Sequence, residues 1–171
     1  VESGADPLFI VRRMVIFAAE DVGMADPHAL VLAVACQQAV HFGGMPEGFL
    51  PMSETFVYLA SAPKSNAAFQ AYLRAKEDVE KGGAIPVPLH LRNAPHPLMS
   101  RLGYSQGYKY AHDYPGHFVE TDNRPPSLES HRYYYPGELG FEVQVKERLE
   151  EWWGKKWRNS DKKEDRSKPD A

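Results

Sequence analysis

The chain has 171 residues, of which 43% are hydrophobic and 25% charged, and its formal net charge is −3. This length is sufficient for one domain whose core needs neither disulfides nor metal, and the single cysteine, Cys36, excludes a disulfide framework and favours a reducing, cytoplasmic location. The longest unbroken apolar run, residues 29–36, is too short to span a membrane, so we expect no membrane partner.

Charge is distributed unevenly between the end of the sequence and the rest. Residues 155–171 contain seven Lys or Arg and four Asp or Glu, a net charge of +3, and the remainder carries −6. An acidic body argues against broad electrostatic binding of nucleic acid. We expect residues 158–171 to form a disordered polar tail, and residues 1–5, which lack a start methionine, to be a truncated linker from a longer protein.

Four helices are predicted in the first half of the chain from their start and stop signals. Two of them begin at Asp-Pro dipeptides, in which the aspartate is an N-cap and the proline takes the first helical position. Ser53 is predicted to cap the third helix, with Met52 and Val57 as a hydrophobic staple. The predicted helices lie between Asp6 and Gly23, Asp26 and His41, Ser53 and Pro63, and Ser65 or Asn66 and Gly82.

The second of these helices is the most apolar. Its run over residues 29–36 reads ALVLAVAC, which is apolar nearly all round and rich in alanine. Such a composition is typical of a helix surrounded by others at close range. With short connections between them, the four helices predict a compact helical array in which this helix is central.

Residues 84–138 have no helical periodicity and contain eight prolines. We expect an irregular segment here, with one or two helical turns at residues 96–102 and short strands near Val87, Leu89 and residues 131–135, enough for one short β hairpin. A last helix is expected at about residues 138–157, with an apolar stripe of Phe141, Val145, Leu149 and Trp152. The predicted fold is therefore mainly α, a compact helical array over residues 6–157 with a long proline- and tyrosine-rich irregular segment.

Residues 103–118, GYSQGYKYAHDYPGHF, contain four tyrosines, two histidines and a lysine, more hydrogen-bonding aromatic groups than an ordinary surface loop needs. Either this loop docks on a partner or it is a packed structural loop. Lys109 between Tyr108 and Tyr110, together with Arg132 and Tyr134, resembles a stacking surface for single-stranded nucleic acid. Because the body is acidic, core or interface packing of the tyrosines is the favoured alternative.

The sequence contains no phosphate-binding loop, dinucleotide fingerprint, zinc-binding helix or Cys-x-x-Cys pair, so we expect no catalytic, cofactor or metal site in these residues. His112-Asp113 with His117 is the one arrangement that suggests a catalytic or metal centre, and a structural role is favoured for it. Lys64 stands beside a helix start at Asn66, where it would either help to bind an anion or belong to a plain capping loop. Both interpretations stay open.

Six segments in this order resemble the carboxy-terminal part of the RarA/MgsA proteins, clamp-loader-like AAA+ ATPases that include the eukaryotic Werner-helicase-interacting protein. They are residues 6–14 (DPLFIVRRM), 19–27 (AEDVGMADP), 58–66 (YLASAPKSN), 87–95 (VPLHLRNAP), 107–114 (GYKYAHDY) and 132–136 (RYYYP). The resemblance covers residues 6–157, nearly the whole chain.

The resemblance implies a helical domain similar to a clamp-loader collar, through which subunits assemble as homotetramers. It implies a parent protein that acts at stalled or damaged replication forks, with DNA-stimulated ATP hydrolysis, contact with single-stranded-DNA-binding protein and DNA, and a nucleoid-associated location. ATP and Mg would bind in an ATPase region upstream of residues 1–5, and no catalytic residue is carried over to this chain.

We therefore expect an assembly domain, with a DNA-binding module as the rival and a stand-alone hydrolase centred on His112-Asp113 as a distant third. Large interfaces favour tyrosine and arginine anchors, and Tyr110 and Arg132 are the anchors we expect. The full set of candidates for interface or DNA contact is Lys64, Asn66, His90, Arg92, Asn93, Tyr108, Lys109, Tyr110, His112, Asp113, Arg132 and Tyr134.

Overall fold

The computed structural model describes residues 4–82, 86–128 and 131–154. The expected polar tail and the first three residues of the expected linker lie outside the described residues. The chain divides into two compact units. We call residues 1–74 with 133–147 the helical unit, and residues 75–132 with 148–171 the loop unit.

The described residues form six α-helices and no strand, so the predicted mainly α fold is confirmed. The helices are α1 (Pro7–Phe17), α2 (His28–Gly43), α3 (Phe49–Ser61), α4 (Ala67–Gly82), α5 (Pro97–Arg101) and α6 (Phe141–Trp153). A π-helical turn, Ala18–Val22, continues α1, and a 3₁₀ turn, Gly23–Ala25, follows it. None of the described helices is long and apolar enough to cross a membrane.

The short β hairpin is not formed by the described residues. Leu89–Leu91 is a 3₁₀ turn instead, and residues 131–137 are extended or irregular without a paired strand. The prolines explain this, because Pro86, Pro88 and Pro136 have no N–H to donate to a neighbouring strand. Further 3₁₀ turns occur at Ala111–Asp113, Pro115–His117 and Pro126–Leu128.

The predicted cap at Asp6 is confirmed, whereas α2 begins one residue later than predicted, with Pro27 rather than Asp26 as its N-cap residue. The Asp6 carboxylate accepts a hydrogen bond from the Leu8 amide at 3.0 Å, and the Asp26 carboxylate accepts one from the His28 amide at 3.1 Å. Asp26 also accepts a hydrogen bond from the Tyr58 hydroxyl at 2.6 Å, which ties the start of α2 to α3. The Asp26 carboxylate therefore accepts both a local bond at the start of α2 and a tertiary bond from α3.

The predicted start of the third helix at Ser53 is wrong, since α3 begins four residues earlier, at Phe49. Ser53 lies inside the helix and its hydroxyl donates to the Phe49 carbonyl at 2.8 Å. Pro51 is compatible with this start because N–H groups in the first turn have no partner within the helix. The staple is also wrong, because Met52 is buried whereas Val57 is 66% exposed.

The core of the helical unit lies between α1, α2 and α3, which contact one another. Alanines on α2 allow close approach of the neighbouring helices, and Cys36 lies among them with 2% of its surface exposed. The buried core residues are Val11, Met14, Ala18, Val22, Ala29, Ala33, Cys36, Val40, Met52 and Leu59.

The idea that α2 is surrounded by other helices is wrong for this single chain. Ala29, Ala33, Cys36 and Val40 form its buried stripe, but Phe42 on the opposite side is 96% exposed. The apolar composition of α2 is therefore only half explained by the core of its own chain.

Two glycines allow loops to approach the turn between α1 and α2. Gly23 has φ +51°, and a Cβ there would lie 2.4 Å from the Ser65 carbonyl oxygen. Gly140 has φ +57°, and a Cβ there would lie 2.0 Å from the Ala25 carbonyl oxygen. Gly140 directly precedes α6, which explains why this helix starts at Phe141 rather than at the predicted Glu138.

Candidate interaction surfaces

The helical unit exposes much apolar surface on α1, α2 and α3. With about 200 Å² for each phenylalanine side chain, Phe9 (57% exposed), Phe42 (96%), Phe49 (50%) and Phe56 (66%) alone leave on the order of 500 Å² accessible. The other exposed apolar side chains of these helices are Leu8, Leu30, Val31, Val34, Leu50 and Val57.

The outward side of α2 is unusual because it lacks charge. The helix contains no Asp, Glu, Lys or Arg. Helical spacing places Val31, Ala35, Gln38 and Phe42 on one stripe, and all four are exposed. A solvated helix face normally carries charged residues, so this side of α2 has the composition of a helix contact.

A recess of about 300 Å³ opens between α1 and α3. Its walls contain no charged side chain, and two of them are methionines, which adapt their shape to a bound group. The lining residues are Ile10 and Met14 from α1 and Phe49, Met52, Ser53, Phe56 and Val57 from α3.

A buried carboxylate holds the start of α6 in the helical unit. Glu142 has no exposed surface and accepts hydrogen bonds from the Tyr134 hydroxyl at 2.8 Å and the Gly137 amide at 2.7 Å. Burial, followed by the hydrogen bond to Glu142, raises the pKa of Tyr134. Tyr134, a candidate contact residue, is thus engaged inside its own chain, and a buried glutamate was not foreseen, because Glu in a first turn usually faces solvent.

Lys64 closes the end of α3. Its ammonium donates to the carbonyl of Leu59 at 2.8 Å and also to that of Ala62, and lies 5.3 Å from the centre of the Phe17 ring. A cation at this place satisfies carbonyls that the last turn leaves unpaired. Asn66 is exposed directly before α4, and its carbonyl accepts from the Gln70 amide at 3.0 Å.

The loop unit is held by hydrogen bonds and ring contacts, and none of its described residues is buried. Arg92 donates to the Val87 carbonyl at 2.7 Å and to the Tyr104 hydroxyl at 3.2 Å, and its guanidinium lies 5.4 Å from the centre of the Tyr104 ring. His90 contacts the Asn123 side chain at 3.3 Å. Asn93 is exposed.

In the tyrosine-rich loop an exposed pair of tyrosines leads into a chain of ring contacts. Tyr108 and Tyr110 are 56% and 53% exposed, with the exposed Lys109 between them. The His112 ring lies 5.0 Å from the Tyr110 ring and 4.9 Å from the His117 ring, measured between centroids. The loop therefore combines a chain of ring contacts with an open edge that contains Lys109.

The catalytic or metal interpretation of His112-Asp113 gains no support from this arrangement. His112 contacts two rings, and Asp113 is exposed in a 3₁₀ turn. Among the described residues no group of three or more His, Cys, Asp or Glu side chains is placed to hold a metal ion.

The candidate residues fall into both units. Lys64, Asn66 and Tyr134 belong to the helical unit, and the other nine, including the half-buried Arg132, belong to the loop unit. Their role in interface or DNA contact stays a prediction. Phe42 and the recess were missed by sequence reasoning, although the charge-free sequence of α2 was a signal for the first.

Comparison with known proteins gives a consistent result. A family model described as "MgsA AAA+ ATPase C terminal" matches residues 1–153. The chain is 44% identical over 151 residues to "Replication-associated recombination protein A" of Coxiella burnetii, with 88% of this chain and 34% of that protein covered. It is 40% identical over 161 residues to the protein of that name in Escherichia coli K12, covering 94% and 36%.

A eukaryotic relative is matched as well. The chain is 52% identical over 112 residues to "ATPase WRNIP1" of Dictyostelium discoideum, with 66% of this chain and 13% of that protein covered. The chain spans about a third of the length of the bacterial recombination proteins it matches.

Proposed function

Because the chain belongs to the MgsA AAA+ ATPase C-terminal family, we propose that it is the self-assembly domain of a replication-associated recombination ATPase and that four copies associate. The observation that carries the proposal is the uncovered apolar surface of α1, α2 and α3, on which Phe42 is 96% exposed. Burial of such surface is the main driving force for association of protein subunits.

In the whole protein, we propose, ATP and Mg bind outside this chain and the domain described here gathers the ATPase units into one assembly. The whole protein would act at stalled or damaged replication forks, with DNA and single-stranded-DNA-binding protein as partners and a nucleoid-associated location. The name shared by the bacterial relatives, replication-associated recombination protein A, supports this setting.

The test of self-assembly is the molar mass of the purified chain. Sedimentation velocity and light scattering over a wide range of concentration and salt should give a species of four 19.3 kDa chains. Association that persists or strengthens at high salt is expected, since apolar burial is not screened. A strict monomer at all concentrations would contradict the proposal.

The rival function, binding of single-stranded DNA by the loop unit, has one observation in its favour. Lys109 lies between the exposed Tyr108 and Tyr110, an arrangement in which bases can stack while a cation contacts phosphate. Fluorescence anisotropy with a labelled single-stranded oligonucleotide tests it. Binding that weakens steeply with salt and is lost in Lys109→Ala would favour this function over assembly.

A further inference from the structure

We propose that the Phe42 side chain of one copy fills the recess between α1 and α3 of a second copy. This inference rests on the proposed self-assembly and deepens it, because it states which side chain of one subunit meets which site of the next. The partner is a second copy of this chain.

Phe42 has the geometry of an inserting side chain. It lies in the last turn of α2 and is followed by Gly43 and Gly44, which have no side chains to screen it. At 96% exposure its ring has almost no contact within its own chain. A rigid helix end that presents one ring offers apolar area at little cost in conformational entropy.

The recess has the size and chemistry to accept that ring. The recess is open to solvent, and its volume of about 300 Å³ exceeds the roughly 150 Å³ of a closed apolar cavity that holds a benzene molecule. Met14 and Met52 contribute flexible walls. Phe49 and Phe56, which also line the recess, are half or more exposed, so an incoming helix end would cover them too.

The exposed phenylalanine area is also a substantial part of what an interface of ordinary size buries on each partner. Four phenylalanines of the helical unit leave on the order of 500 Å² accessible, and a stable interface buries roughly 800 Å² on each partner. Three of the four, Phe42, Phe49 and Phe56, belong to the inserting ring or to the recess. One contact type therefore accounts for most of this uncovered surface.

Two variants break the contact from opposite sides. Phe42→Asp removes the inserting ring, and Ser53→Arg places a long charged side chain over the recess. Both positions are exposed, so both chains should keep the far-ultraviolet circular dichroism and melting temperature of the wild-type monomer. Each variant alone should associate at least tenfold more weakly than wild type in sedimentation velocity.

The decisive measurement is an equimolar mixture of the two variants. A Phe42→Asp chain keeps an intact recess and a Ser53→Arg chain keeps its ring, so the mixture should form heterodimers at concentrations where each variant alone is monomeric. Val79→Asp, which replaces another exposed apolar side chain of a helix, is the matched control and should leave association unchanged.

Three outcomes overturn the inference. If Phe42→Asp associates like wild type, the inference is wrong while self-assembly stands. If both variants are monomeric and their mixture is too, the ring and the recess do not meet. If wild type itself is monomeric, the proposed function fails together with the contact.

Discussion

In the helical unit three helices bury apolar side chains against one another, whereas in the loop unit no described residue is buried and neighbouring groups are joined by hydrogen bonds and ring contacts. The same degree of exposure therefore has a different meaning in each unit. Tyr108 and Tyr110 are exposed where no core is available to bury them. Phe42 is exposed on a helix that already has a well-buried face, which makes it the stronger sign of a partner.

The largest loss of stability, and so the clearest difference between the two units, is expected from Gly140→Ala in the helical unit. The alanine methyl group would collide with the Ala25 carbonyl, and the alanine would have to keep φ at +57°. Together these two costs should lower the free energy of unfolding by about 3 kcal/mol. Gly107→Ala is the matched control, because Gly107 has φ +78° with no atom near its Cβ position, and it should cost about 1 kcal/mol. Urea denaturation measures both, and equal losses would show that the close approach at Gly140 is unimportant.

Glu142→Ala is expected to have the next largest effect. The variant leaves the Tyr134 hydroxyl and the Gly137 amide without their acceptor, and we expect a loss of about 2 kcal/mol. Glu147→Ala, at an exposed position of the same helix, should change stability by less than about 0.5 kcal/mol. Thermal unfolding of the two variants in parallel decides whether burial of the carboxylate matters.

Alkaline pH should weaken the helical unit through two tyrosines. The hydrogen bond to Asp26, followed by burial, raises the pKa of Tyr58, and burial with the Glu142 hydrogen bond raises the pKa of Tyr134. The unfolded chain loses these protons near pH ~10 while the folded chain keeps them. Their stabilising contribution is therefore complete below pH ~10 and is lost as pH rises further.

Denaturant titrations of wild type, Tyr58→Phe and Tyr134→Phe between about pH 8 and 11 check this sign. The stability difference between wild type and each variant should shrink as pH rises through that range. A difference that is constant with pH would contradict the raised pKa values.

The smallest effect on the stability of the helical unit is expected from Phe118→Ala, which lies in the loop unit. The Phe118 ring stacks on the Trp152 ring with centroids 5.1 Å apart and planes 9° from parallel, a contact worth about 1 kcal/mol beyond the area it buries. Hydrogen exchange should show faster opening confined to the loop unit. A matching change in the exchange of α2 amides would mean that the loop unit has no separate stability.

Much of the helical unit could be predicted from the sequence because its signals are local. Asp6 caps α1 and Asp26 lies just before α2, and each accepts a bond from the amide two residues ahead, so no distant information is needed. The start of α3 was misplaced because a serine with a free hydroxyl caps a helix in one context and bonds back to a carbonyl in another. The irregular course of residues 86–128 was also predicted, from prolines.

The candidate surfaces could be predicted only in part, because hydrophobic periodicity reports that a side chain avoids water without saying what covers it. The run of residues 29–36 indicated burial on all sides, but the chain itself covers one side of α2. For Glu142 the error was the opposite, because burial was not foreseen. In the sequence, a glutamate in a first helical turn is the same whether its carboxylate faces solvent or accepts bonds from Tyr134 and Gly137.

The position of Cys36 makes its thiol a natural probe of opening of the helical core. The only thiol of the sequence is 2% exposed between α2 and its neighbours, and an alkylating reagent reacts only with an accessible thiolate. The rate at which Cys36 is modified therefore reports how often the core of α1, α2 and α3 opens, and no cysteine has to be introduced for the measurement. In the proposed assembly of subunits, slower modification of Cys36 would measure how much association stabilises each core.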